Sequence, residues 1–152
     1  MEIITCLSTS KVVKGYADSK IAKAERNDCV VRAVAAAFNI DYNRAHKFVK
    51  EKFNRVDKKG TSFTYNKMLR LSENDKVFNK KIQHIKDLYV IRGTKKSKMT
   101  ILSFLREYKK GTYFILVRGH ALAIKDGVLI GNSDEGVHLK RIVNGAFKIG
   151  VR

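Results

Sequence analysis

From Val30 to Phe38 the chain is almost continuously apolar, with Arg32 its only charge. Ala33, Ala35, Ala36 and Ala37 give the run a high helix propensity at little cost in side-chain entropy. A helix of this composition is buried on most sides, so the remaining elements have to pack around it. Its start is marked by Asn27-Asp28-Cys29. Either Asn27 or Asp28 offers a side-chain oxygen that accepts from an otherwise unpaired N–H of the first turn. Cys29 then falls near the first helical position, where free N–H groups and the positive end of the macrodipole favour thiolate over thiol. Two readings of Cys29 follow: a nucleophile, or a small buried hydrophobe, the common fate of an unbridged cysteine.

A second informative segment lies downstream. Tyr113 to Val117 reads as an apolar strand entered through Gly111, and His120 to Asn132 reads as two strands around Lys125-Asp126-Gly127. A two-residue Asp-Gly turn would pair Lys125 with Val128 and place His120 and Asn132 on opposite faces. A three-residue loop with Gly127 in the left-handed conformation would instead pair Ile124 with Val128, Leu122 with Ile130, and His120 with Asn132. Side-chain alternation favours the longer loop, because it gathers Leu122, Ile124, Val128 and Ile130 on one face. Opposed Cβ atoms then lie about 4.5–5.5 Å apart, close enough for a carboxamide to fix the imidazole's tautomer and orientation. The plainer reading of His120 is a half-buried strand histidine satisfied by a carbonyl. Joined to a capped cysteine, it becomes a candidate base. Gly119, Ala121 and Ala123 leave space around it.

Cys29, His120 and Asn132 thus supply a nucleophile, a base and a group to orient the base. In this order, on a helix and then on strands, they resemble the papain-like cysteine peptidase superfamily. His120-Ala121-Leu122-Ala123 is similar to that family's His-Ala-x-x strand, and Asn132-Ser133 to its Asn-Ser pair. The chain more closely resembles small uncharacterised bacteriophage proteins of this fold, which carry an Asp-Cys-Val-x-Arg-Ala helix start and a histidine strand followed by a short Asp-Gly hairpin. The resemblance implies a minimal papain-like domain in which a central Cys-bearing helix packs on a C-terminal antiparallel sheet. It implies acyl transfer from a protein or peptide substrate, of peptidase, isopeptidase or deamidase type. It further implies an acidic residue near the third site, so Asp134 is the alternative to Asn132. Lys23 stands where the papain pattern has an oxyanion-hole Gln, which leaves Asn27 and the Cys29 N–H as the candidate donors. Val30 and Asp134 replace the family's two Trp residues, so substrate subsites are not transferable.

At 152 residues the chain suits one domain, spanning 1–152, with a real core. No apolar stretch approaches the roughly 18–20 residues of a membrane helix, and no signal-peptide pattern opens the chain. Two cysteines, Cys6 and Cys29, make no disulfide framework and suit a reducing cytoplasm, either the host cytoplasm or a virion in the phage reading. Neither Cys-x-x-Cys nor His-Glu-x-x-His spacing is present, so no metal and no other cofactor is expected.

Lys and Arg number 32 against 14 Asp and Glu, a net charge of +18. A field of this sign favours polyanions, whether nucleic acid, an acidic protein surface or anionic lipid, although a solvated basic surface would also keep a small protein dispersed. The rival to the enzyme is therefore a catalytically inactive basic binding protein of the same fold, phage-encoded, that contacts nucleic acid or a host nucleoprotein.

The remaining segments order themselves as helices followed by strands, an α+β arrangement. Met1 to Leu7 suits an edge strand, and Lys11 to Ala24 a polar lead-in or short helix. Asp41 caps a helix bearing Tyr42, Ala45, His46, Val49 and Phe53, in which His46 reads as a packing residue. Thr61, Ser62 or Thr64 could cap a short helix before Leu71. Lys76 to Arg92 looks extended, and His84 within it has no visible partner. Ser97 or Thr100 caps a helix that stops at Gly111. Asn144-Gly145 lies between apolar runs and predicts a hairpin.

Overall fold

The computed structural model of the chain describes residues 4–73, 76–131 and 138–151. Its elements in chain order are β1 (Cys6–Ser8), α1 (Thr9–Val12), α2 (Lys20–Ala24), α3 (Cys29–Phe38), α4 (Tyr42–Lys52), α5 (Thr64–Ser72), β2 (Lys81–His84), β3 (Tyr89–Arg92), β4 (Lys95–Lys98), α6 (Ile101–Glu107), β5 (Thr112–Val117), β6 (His120–Lys125), β7 (Val128–Gly131) and β8 (Gly145–Val151). The class is α+β. Six strands make one sheet in the order β1-β7-β6-β5-β8-β2, and β3 and β4 form a separate two-stranded ribbon. Within the large sheet β1 runs parallel to β7, while every other pairing is antiparallel. No helix among the described residues is long and apolar enough to cross a membrane.

The alternation along β5 and β6 explains how the sheet is covered on both faces. Phe114, Ala121 and Ala123 join Val31, Val34 and Phe38 in one core, while Tyr113, Ile115, Leu122 and Ile124 join Phe104 and Leu105 of α6 in another. The small side chains at 121 and 123 oppose the alanine-rich surface of α3, and this helix packs on β6 more extensively than on any other strand. Close approach of helix to sheet needs small residues at the contact. Helix α3 is thereby enclosed by α4 on one side and the sheet on the other, as its all-round apolar composition demands.

Several local expectations need correction. The β6–β7 loop has two residues: Lys125 pairs with Val128, Ile124 with Leu129 and Ala123 with Ile130. Asp126 and Gly127 take φ values of +47° and +81°, a primed turn whose twist matches the flanking strands. Asp126 is also held to the chain before β5, its Oδ1 accepting from Gly111 N at 2.8 Å while its own N–H donates to Gly111 O at 2.9 Å. With this register Leu122 and Ile124 share a core with Leu129, whereas Ile130 lies in the α3 core.

Asn144-Gly145 is not a hairpin turn among the described residues. Thr100 and Ile142 form an isolated bridge, Asn144 N donates to Leu116 O, and Gly145 opens β8. A Cβ at Gly145 would lie 2.7 Å from Tyr65 Cδ2, so the glycine is required by the ring packed over it. Helix α5 is preceded by Phe63 at φ +56° rather than by a side-chain cap, and the Thr64 hydroxyl donates instead to Thr61 O. Asp41 and Thr100 do cap α4 and α6, accepting from Asn43 N and Ser103 N. Helix α6 ends at Glu107, short of Gly111.

Candidate active site

Cys29 is the first residue of α3, and His120 is the first residue of β6. Strands β5 and β6 are joined by the two-residue turn Arg118-Gly119, in which Gly119 takes φ +70°, so His120 sits at the end of the sheet where the strand begins. The close packing of α3 on β6 brings the helix start to this end. The Cys29 thiol hydrogen-bonds the His120 side chain and receives a second hydrogen bond from the Ala121 backbone. Burial pushes the thiol up, but these two hydrogen bonds, the positive charge available at His120 and the nearby Arg32 outweigh it and hold Cys29 below its ordinary range.

The pair faces a cleft of about 660 Å³, lined on the helix side by Asn27, Cys29 and Val30 and on the strand side by Leu116 to His120. Gly60, Thr61, Ser62, Thr64 and Tyr65 form a second wall, and Asn144 completes the lining. Asn27 lies at φ +55° with its Nδ2 donating to Lys58 O at 3.2 Å, which leaves its second amide hydrogen for the cleft. The first-turn N–H groups of α3 have no intrahelical acceptor, which leaves the Cys29 N–H as a second available donor. Asn132 and Asp134 lie outside the described residues. The two-residue turn differs from the three-residue loop that the expected role of Asn132 presupposed.

What holds Cys29 in place is a polar network that periodicity does not reveal. Asp28 precedes α3 but makes no side-chain cap bond to it. Its carboxylate instead accepts from Tyr42 Oη at 2.7 Å and pairs with Arg32 Nε at 3.2 Å. Burial, followed by the Asp28 carboxylate, holds the Tyr42 phenol far above its usual range, so it is a permanent donor. Tyr42→Phe is expected to cost about 1.5–3 kcal/mol, the value of a hydrogen bond to a buried charge. Urea unfolding reads this directly, and an unchanged midpoint would mean that the bond carries no stability.

Glu25 anchors the same segment. Its carboxylate takes Arg55 Nη1 at 2.7 Å, Arg55 Nη2 at 3.1 Å, His46 Nε2 at 2.5 Å and Lys58 N at 2.7 Å. Arg55 Nη2 also donates to Arg26 O at 3.1 Å. Residues 25 to 28 are thus each tied to α4 or to the loop after it. His46 is buried beside the Tyr42 ring and also hydrogen-bonds Glu25, and it does not line the Cys29 cleft. Burial raises the Glu25 carboxyl, but Arg55, His46 and the Lys58 N–H together lower it to about 2.

Glu25, His46 and Asp57 lie close enough to share a cation. The oxygens of Glu25 are already committed to donors, however, and Asp57 faces Lys50 Nζ at 3.2 Å, so the cluster reads as an ion-pair network. Its only sequence signal is that Glu25 and Asp28 are the acids in a basic stretch from Lys20 to Arg32. His84 also gains a partner: Tyr65 Oη, on the cleft wall, lies 2.9 Å from its Nε2, and both rings stack against Phe147.

Compared with known protein families, with characterised proteins and with solved structures, the chain matches none.

Proposed function

We propose that this protein is a cysteine hydrolase with a papain-like arrangement, a helix-borne nucleophile packed on a largely antiparallel sheet that carries the base. The observation that carries the reading is the hydrogen-bonded Cys29–His120 pair at a helix start, opening on a cleft, with the thiol held below its ordinary range. In the proposed cycle His120 accepts the thiol proton as Cys29 Sγ bonds to a carbonyl carbon, whose π electrons move to oxygen. The Cys29 N–H and the free Asn27 amide hydrogen are the donors available to that oxyanion. The intermediate collapses, the bond to the leaving group breaks, and His120 returns the proton to the departing amine. Water, deprotonated by His120, then attacks the acyl-enzyme and releases an acid and the thiol. Asn132 or Asp134 remains the candidate to orient His120. Peptide, isopeptide and side-chain amide substrates all fit this cycle.

Alkylation tests the nucleophile. Iodoacetamide at pH 6–7, with the modified cysteine mapped by mass spectrometry, is expected to label Cys29 well ahead of Cys6. Its rate should rise with pH to a plateau reached below about pH 8.5, the range of an ordinary thiol. Equal rates at the two cysteines, or a plateau at the ordinary thiol value, would remove the reading.

A further inference from the structure

The cleft does not end at Asn144. Arg118 and Asn144 also line a second hollow of about 510 Å³, whose other walls are Lys98, Lys140, Arg141 and Ile142. Four of these six residues are cationic, and no carboxylate among the described residues lines either the hollow or the cleft. The basic groups sit on well-fixed backbone. Arg118 occupies the tight turn two residues before His120. The chain at Lys140 and Arg141 is pinned by Ile101 N to Arg141 O at 3.0 Å, Leu102 N to Leu139 O at 3.1 Å and Val143 N to Met99 O at 2.9 Å. Lys98 closes the β3–β4 ribbon. Cations gathered around a concave surface focus positive potential into it, and arginine presents a planar fork that matches carboxylate.

We infer that the Cys29 site acts on acidic polypeptides, with Asp or Glu side chains next to the reacting carbonyl seated against Arg118, Arg141, Lys140 and Lys98. This rests on the hydrolase reading and narrows its substrate class. Continuity decides where the acid lies, because Arg118 and Asn144 line both spaces and Arg118 stands two residues before His120. Lining chemistry favours polypeptide over nucleic acid. Single-stranded nucleic acid is held by aromatic platforms alternating with cations, whereas among the described residues the hollow's one apolar wall is Ile142.

A series of short peptide acyloxymethyl ketones tests the assignment, each probe carrying Glu or its neutral isostere Gln at one position flanking the reactive ketone. The rate of Cys29 labelling is read by mass spectrometry. One position is expected to show a Glu-over-Gln preference of about tenfold or more, since a charge-assisted bond is worth at least that factor. The preference should shrink as salt rises and collapse in Arg118→Ala and in Lys140→Ala/Arg141→Ala. Arg118→Glu should favour Lys at the same position.

Equal labelling by Glu and Gln probes at every position overturns the inference while leaving the nucleophile intact. So does protection of Cys29 by a single-stranded oligonucleotide without any Glu preference, which would assign the basic hollow to nucleic acid. Labelling by neither probe, together with no selective alkylation of Cys29, overturns the hydrolase reading and the inference with it.

Discussion

Replacing His120 by alanine is expected to slow acylation of Cys29 by about 10²- to 10⁴-fold at neutral pH, the contribution of a positioned base. Two effects combine. Without the imidazole, the burial that pushes the thiol up is opposed only by the Ala121 backbone bond and Arg32, so the thiolate fraction falls. The proton of any remaining thiol also loses its acceptor at the moment of attack. The pH profile separates the two. In His120→Ala the labelling rate should climb at higher pH than in the wild type, because the folded-state thiol is no longer held down, and part of the deficit should vanish in alkaline solution. A variant whose labelling profile overlays that of the wild type would show that the contact is packing alone. Circular dichroism should be unchanged, since His120 is half-exposed at the end of its strand.

Replacing Arg55 by methionine is expected to cost about 3–5 kcal/mol of stability, the penalty for stranding a buried charge. The Glu25 side chain is 3% exposed and that of Arg55 is 1% exposed. With the guanidinium gone, Glu25 must remain ionised against His46 and the Lys58 N–H alone or take up a proton. The double variant Glu25→Gln/Arg55→Met should recover part of the loss, because it leaves no uncompensated charge. Denaturant unfolding of both variants measures the difference, and a single variant as stable as the wild type would sink this account.

The same network has a pH signature. Glu25 titrates near 2 in the folded chain against 4.5 for an unperturbed carboxyl. A depressed acid binds fewer protons folded than unfolded, so its contribution is fully present above pH 4.5 and is lost as pH falls toward 2. At 1.36 kcal/mol per pKa unit it amounts to about 3 kcal/mol. The acid limb of the wild-type stability curve should therefore be steeper than that of Glu25→Gln. Loss of the network should also reduce Cys29 reactivity, because residues 25 to 28 are the segment that delivers the thiol to His120.

The sequence by itself determined the elements whose cause is local. An alanine-rich apolar run can only be an enclosed helix, a cysteine two residues after Asn27 can only open it, and Asp41 and Thr100 start their helices through caps that their own side chains make. The strands β5, β6 and β7 follow from β-branched and aromatic composition, and the α+β class follows from their order after the helices. The places of Cys29 at a helix start and His120 at a strand start were legible for the same reason, whereas their meeting depends on the packing of α3 on β6.

Contacts between distant segments decided the rest. Alternation alone selected a three-residue β6–β7 loop, but Asp126 can bond Gly111 just before β5, and that bond accompanies the shorter turn. Asp28 looked like a cap because cap propensity is a local quantity, yet Tyr42 and Arg32 offer its carboxylate stronger partners once the chain is folded. Glu25, His46 and Arg55 are scattered over three segments and become one buried network only when α4 lies across α3. Asn144-Gly145 reads as a turn until Tyr65, from a separate helix, requires the glycine for space. Local sequence encodes what each segment prefers in isolation. Partners for buried charges and space for packed rings are settled only between segments, where desolvation makes the choice costly.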